Sequence, residues 1–232
     1  MTFLLLVRHG RTSANASGIL AGRTPGVLLD ETGLRQARDA GRRLAGVSLA
    51  AEVSSPMERC LQTAEEMRCI RGGHGPDLVV DPALAEVDYG SWSGRPLKEL
   101  AQEDLWRTVQ AHPSAARFPG GESMVAMAQR AVGAVRYREA QVAEDAGPEA
   151  VWMVVSHGDI IKAILADALG LHLDQFQRLV VNPASVSVVQ YTSARPYVLA
   201  LNTSSGALVD MLPKVAEPDN DAAVGGGAGP GT

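Results

Sequence analysis

Phe3-Leu-Leu-Leu-Val7 is an unbroken apolar run, and Val151-Trp-Met-Val-Val155 is a second. Leu49 to Val53 is a weaker third. Runs of this length suit strands covered on both faces of a parallel sheet. Helical patterns lie between them. Leu34, Ala37, Gly41, Leu44 and Ala45 keep a period near 3.6 after Asp30, a suitable cap. Met57, Cys60, Leu61, Ala64 and Met67 do the same, and Ser55-Pro56-Met57-Glu58 reads as a capping box with Pro at the first helical position. Residues 121–143 and 159–169 also read as helical. Val186, Val188 and Gln190 alternate with Ser185, Ser187 and Val189, which predicts a strand with one face more covered. Tyr197–Leu201 is its candidate hairpin partner. Strands alternating with helices predict an α/β sheet covered on both sides.

Residues 71–77 read as a loop, and no internal repeat is visible. Residues 214–232 hold five glycines, two prolines and little apolar content. The expected organisation is therefore one domain over residues 1–213 and a disordered glycine-rich tail over 214–232.

Hydrophobic residues make up 46% of the 232 and charged residues 20%, an ordinary globular mix. The net charge of −5 disfavours nucleic acid as a general partner, without excluding a local basic pocket. Cys60 and Cys69, nine residues apart on one helix, would stand about 13 Å from each other, too far to bridge. Two cysteines with no framework suit a reducing compartment. No signal or membrane-spanning pattern is present, so the expectation is a cytoplasmic protein with no membrane partner.

Ligands of open α/β sheets bind beyond the carboxyl ends of the strands. Arg8-His9-Gly10-Arg11-Thr12 follows the first run, Ser54-Ser55-Pro56-Met57-Glu58-Arg59 the third, and Ser156-His157-Gly158-Asp159 the second. Two imidazoles and at least two guanidiniums would thus meet at one sheet edge. An anion between them resolves that repulsion, and a phosphate monoester fits because Arg matches its oxygens bidentately. No G-x-G-x-x-G follows the first strand, which argues against a dinucleotide site. Neither H-E-x-x-H nor a cysteine pair at zinc spacing occurs.

These pieces, with Asn15, Gln62-Thr63-Ala64, Leu84-Ala85-Glu86-Val87-Asp88-Tyr89-Gly90 and Pro119-Gly120-Gly121-Glu122-Ser123, resemble the histidine phosphatase superfamily, which includes the cofactor-dependent phosphoglycerate mutases. They stand in that family's order and cover about residues 3–205. The resemblance implies a three-layer α/β/α sandwich around a mostly parallel sheet. It also implies a metal-free enzyme with no bound cofactor. His9 would be the nucleophile that forms a phosphohistidine. Arg8, Arg59 and His157 would hold the phosphoryl oxygens with Asn15 beside them, and Glu86 would give a proton to the leaving group. Thr12, Gly22 and Gly158 are further candidates for substrate contact. Neighbouring arginines should keep His9 neutral; they should also favour the Glu86 carboxylate until a bound phosphate raises its pKa.

Plainer readings exist for each residue. His9 and His157 could be buried structural histidines, Arg59 a surface charge, Glu86 a solvated carboxylate with Asp88 as rival acid, and Asn15 a turn residue. Gly22-Arg23-Thr24 could be a structural loop, and Glu122-Ser123 a helix cap. Trp92, Trp106, Trp152 and Tyr89 are expected in packing roles, and Lys162 is expected to face solvent. The short, nearly uncharged segment after Glu86 resembles the phosphatase branch. Arg95, Lys98, Arg107 and Arg117 read as surface charges. The reading is a phosphomonoester hydrolase acting on a small phosphorylated metabolite, with a phosphoglycerate mutase-type phosphomutase and a non-catalytic phospho-ligand binder as alternatives. Dimers are implied by the resemblance, but no stripe identifies a homodimer interface.

Overall fold

A computed structural model describes residues 1–212. The expected tail and the last residue of the expected domain lie outside the described residues. Six strands form one sheet: β1 (Thr2–Arg8), β2 (Leu49–Ser54), β3 (Leu78–Val80), β4 (Val151–Ser156), β5 (Val186–Tyr191) and β6 (Pro196–Thr203). Their order is β3-β2-β4-β1-β5-β6. β3, β2, β4 and β1 run parallel, β5 runs against β1, and β6 pairs antiparallel with β5. The helices are α1 (Ser13–Ala16), α2 (Glu31–Arg43), α3 (Glu58–Ile70), α4 (Leu97–Leu100), α5 (Asp104–Ala111), α6 (Met124–Ala146) and α7 (Gly158–Ala168). This is the mostly parallel α/β/α architecture expected from the sequence.

Alternation along the strands divides the core in two. Leu4, Leu6, Trp152 and Val154 pack on one face with Met127, Ala131, Ile161 and Leu165 of α6 and α7. Leu5, Val7, Met153 and Val155 pack on the other with Ala40, Cys60, Ala64 and Met67 of α2 and α3. The first and second runs are unbroken because both faces of β1 and β4 are covered.

Several local readings need correction. Val186 through Val189 are all buried, so neither face of β5 is markedly more covered: Val189 packs into one core cluster and Val186 and Val188 into the other. Ala45 falls beyond α2, whose last residue is Arg43, and is exposed. β3 was not legible: three residues carry no period. Residues 121–123 precede α6, which is capped by Ser123. The Ser55 capping box does not form. α3 starts at Glu58 with Met57 in the cap position and no side-chain cap. The Ser55 hydroxyl is turned towards His157 instead. By contrast, Asp30 caps α2 as expected, accepting from the Gly33 amide at 2.8 Å.

That cap brings α2 hard against the segment after β1. A Cβ on Gly33 would lie 2.0 Å from the Arg11 carbonyl oxygen, and one on Gly10 would lie 2.5 Å from the Gly33 carbonyl oxygen. Two backbones therefore touch where side chains have no room. Gly33→Ala is expected to cost about 3 kcal/mol by forced displacement, measured as a lowered urea-unfolding midpoint. An unchanged midpoint would show that this contact yields freely.

Candidate active site

β1, β4 and β2 end side by side at one edge of the sheet. The register pairs Arg8 with Ser156, and the His9 amide donates to the Ser156 carbonyl at 2.9 Å. His9 and His157 therefore emerge as neighbours, with ring centroids 5.3 Å apart. The Ser55 amide donates to the Val155 carbonyl at 3.0 Å, joining the end of β2 to the same edge. Arg59, in the first turn of α3, is buried there at 2% exposure. The reversed β5 completes the wall: the Ala184 amide donates to the Arg8 and His9 carbonyls.

Each side chain is fixed by an identifiable contact. His9 Nδ1 is 2.7 Å from the Gly10 carbonyl oxygen. A carbonyl can only accept, so Nδ1 carries the proton and Nε2 is left with its lone pair. Burial first, then Arg59 and Arg8, hold the His9 pKa well below its ordinary value. Arg8 donates to the Val181 carbonyl at 2.7 Å, and Arg59 to the Gly22 carbonyl at 2.8 Å. Arg8 Nε and Arg59 Nη1 are buried and make no hydrogen bond within the described residues. Two desolvated donors of like charge beside two neutral imidazoles form a cradle for an anion.

Ser55 Oγ accepts from the Met57 amide at 3.3 Å and stands 2.7 Å from His157 Nε2. With its own proton given to Nε2, the Ser55 hydroxyl would support the tautomer that carries the imidazole proton on Nδ1. That nitrogen is 3.8 Å from Glu86 Oε2. Burial, Arg59 and His9 lower the His157 pKa well below the usual range. The neighbouring Cys60 thiol is pushed up to about 12, chiefly by burial, and stays protonated.

Glu86 departs from expectation. Its pKa is raised to about 7 in the free protein, first by burial and then by the Asp159 carboxylate; Arg59 and Arg8 pull the other way but lose. No bound phosphate is needed to bring it into range. Its loop is held from behind. Arg130 donates to the Ala83, Ala85 and Glu86 carbonyls at 2.7, 2.8 and 3.1 Å and pairs with Glu122 at 2.6 Å. Arg23 donates to the Glu86 carbonyl at 2.8 Å and also pairs with Glu122. Ser156 Oγ donates to the Leu84 carbonyl at 2.9 Å. Glu122 thus anchors the loop instead of capping α6.

A cavity of about 440 Å³ opens onto these groups. Arg8, His9, Thr12, Asn15, Gly22, Arg59, Glu86 and Gly158 all line it. His157, fully buried, stands behind His9 and Glu86. Thr12 caps α1 and occupies Asn15 Oδ1, which leaves the Asn15 amide nitrogen as the donor for an anion. Gly22, at φ +53°, turns its carbonyl to Arg59. A Cβ on Gly158 would sit 3.6 Å from the Arg8 guanidinium, ordinary contact distance.

Some residues read as packing or surface belong here. Tyr89 lines the cavity and donates to Asp159 at 2.8 Å. Lys162 also lines it, with its side chain 18% exposed, and does not face open solvent. The signal was available: Asp159 stands two positions after His157, and Lys162 is one turn further along the same helix. Thr63 joins the loop to α3, accepting from the Gly10 amide and donating to the Arg59 carbonyl. Arg11 pairs with Asp30 and lies outside the cavity lining. Trp92 is packed in the core, and Asp88 turns its carboxylate to the Gly90 amide. Among the described residues no cluster of His, Cys, Asp and Glu suits a metal ion, and no helix is long and apolar enough to cross a membrane.

The family model for the histidine phosphatase superfamily (branch 1) matches residues 4–204. The chain belongs to this superfamily. Among curated members, Probable phosphoglycerate mutase GpmB of Cronobacter sakazakii is 33% identical over 194 residues, covering 82% of this chain and 86% of that protein. Among solved members, Bacillus stearothermophilus YhfR is 28% identical with a TM-score of 0.77, covering 87% of this chain and 97% of that one. A mycobacterial glucosyl-3-phosphoglycerate phosphatase is 26% identical at the same TM-score of 0.77, covering 86% and 98%.

In this superfamily member the loop behind Glu86 is held by hydrogen bonds from Arg130, Arg23 and Ser156. Arg130→Met would leave Glu122 and three carbonyls short of a donor. A loss of about 2 kcal/mol is expected, read from urea unfolding. A stability equal to wild type would show that Arg130 is redundant with Arg23 and Ser156.

Proposed function

We propose that the protein hydrolyses phosphomonoesters without a metal, through a phosphohistidine on His9. The observation that carries this reading is the geometry of His9. Its Nδ1 is anchored by a carbonyl, while its free Nε2 shares a cavity with the unpaired buried donors of Arg8 and Arg59. Nucleophile and charge cradle are in place together, as phosphoryl transfer requires.

In the first step the His9 Nε2 lone pair attacks phosphorus, the N–P bond forms and the bond to the ester oxygen breaks. Glu86 delivers its proton to that oxygen. Arg8, Arg59, the His157 Nδ1–H and the Asn15 amide take the equatorial oxygens, where charge must be met. Thr12 fixes Asn15, the Gly22 carbonyl steadies Arg59, and Gly158 lies against the Arg8 guanidinium. In the second step water attacks phosphorus and gives its proton to the Glu86 carboxylate. The N–P bond breaks, inorganic phosphate is released and both groups return to their starting states.

A catalytic pKa near the working pH suits an acid that must later act as a base. Glu86 meets that condition by burial, while His9 stays neutral. The same pair argues against an idle binder, which needs neither a poised acid nor a free imidazole nitrogen. The phosphomutase reading draws on the printed name of the GpmB relatives; the solved phosphatase draws the other way. Arg95, Lys98, Arg107 and Arg117 do not line the cavity, so the segment after Glu86 brings no clamp for a second acidic group. A small phosphorylated metabolite fits the cavity size, and two free cysteines fit a cytoplasmic setting.

The test is hydrolysis of p-nitrophenyl phosphate with EDTA present. Wild type should turn over and His9→Ala should lose at least about 10³-fold in kcat; equal rates in the two would refute the nucleophile. The pH profile is a second test. The His9 pKa is held well below its ordinary value, and the Glu86 proton is lost above about 7. For an alkyl phosphate, whose leaving oxygen needs that proton, kcat/KM should fall about tenfold per unit above pH 8. A flat profile from pH 7 to 9, with chemistry rate-limiting, would remove Glu86 from the acid role.

A further inference from the structure

The cradle accounts for the phosphoryl half of a substrate, and the remaining lining of the cavity has a different character. Ile19, Leu20 and Leu97 form one apolar stretch, tied together by the Ile19–Pro96 bridge and the hydrogen bond from the Leu20 amide to the Arg95 carbonyl. Leu179 and Val180 form another, directly before Val181, whose carbonyl holds Arg8. Leu97 is 38% exposed and Val180 is 55% exposed. Large apolar side chains left open beside a charge cradle, in one continuous cavity, are surface that a bound ligand would cover.

The charges agree. Beyond Arg8 and Arg59, Lys162 is the one cation of this lining among the described residues. Its ammonium donates to Gln177 Oε1 at 3.0 Å, lies 3.8 Å from Asp159 Oδ1 and sits 5.5 Å over the Phe176 ring. Its charge is answered within the wall. With Glu86 protonated, Arg8, Arg59 and Lys162 are balanced by Asp159 and one phosphoryl dianion. No cation is left over for a second anionic group on the same substrate. Arg23, just outside, is taken by Glu122 and the Glu86 carbonyl.

The geometry points to a substrate whose phosphate is carried on an uncharged leaving group with an apolar stretch of several carbons, in preference to a phosphorylated carboxylic acid. This inference deepens the phosphomonoesterase reading and rests on it for the placement of the phosphate. Each methylene buried against Leu20, Leu97 and Val180 should add roughly fourfold in affinity. A carboxylate in the same place would meet no cation whose charge is not already answered.

Phosphonates test this without turnover, because their C–P bond is not hydrolysed. Binding of n-pentylphosphonate and 2-carboxyethylphosphonate to the full chain is measured by calorimetry. The pentyl compound should bind at least tenfold tighter. Val180→Lys, at an exposed position that spares the core, should narrow that gap at least fivefold by weakening the first ligand and strengthening the second. Equal or tighter binding of the carboxyethyl compound to wild type, or no binding of either, overturns the inference. The catalytic reading fails separately. If the pentyl preference holds but p-nitrophenyl phosphate is not hydrolysed, the hydrolase assignment falls and the ligand class stands. Hydrolysis accompanied by a carboxylate preference sinks the ligand class alone.

Discussion

Everything at this site depends on the parallel pairing of β1 with β4. Their register sets Arg8 beside Ser156, so the next residue of each strand is a histidine and the two imidazoles leave the sheet together. A slip of one residue would send one ring to the opposite face. The pairing is held by apolar side chains buried on both faces, which is why the precision of a polar site rests on Leu4 to Val7 and Trp152 to Val155. Around that fixed pair the protein adds groups from four other places: α3 with Arg59, the turn before it with Ser55, α1 with Asn15, and the segment before β5 with the Val181 carbonyl that accepts from Arg8.

The electrostatic arrangement has one recurrent theme. Guanidiniums are steadied by backbone carbonyls rather than by carboxylates wherever they face the cavity. Arg8 uses Val181 and Arg59 uses Gly22, so each keeps its full charge and a free donor for the ligand. Where the task is support, as with Arg130 and Arg23 behind Glu86, the guanidinium is closed off by Glu122. Carboxylates near the cavity then act on each other: Asp159 helps to keep Glu86 protonated although two arginines stand nearby.

Much of this was legible in the chain. Unbroken apolar runs located β1 and β4, and the residues immediately after them contained His9 and His157. What escaped has physical causes. Ser55 satisfies the local pattern of a capping box, yet its hydroxyl bonds across the sheet edge to His157, a partner 102 positions away. β3 is too short to show a period. The Glu86 pKa was misjudged because counting charged neighbours leaves out desolvation, which is the larger effect. Lys162 looked ordinary because its place depends on Gln177 in a wall that no helical or strand period marks, and Tyr89 because its hydroxyl partner, Asp159, is 70 positions away.

The place of β1 in the sheet also shapes how the chain can assemble. Both of its partners, β4 and β5, lie between Val151 and Tyr191. This apolar run therefore pairs only with segments that come much later in the chain. Until Val151–Tyr191 is made, Phe3–Val7 lacks both of its partner strands, and closing so long a loop carries an entropic cost before any contact repays it. An unpaired run of this kind invites association between chains, and a flanking charge is the usual safeguard. Arg8 stands at that flank. The guanidinium that lines the finished cavity would also guard the nascent strand against its own copies.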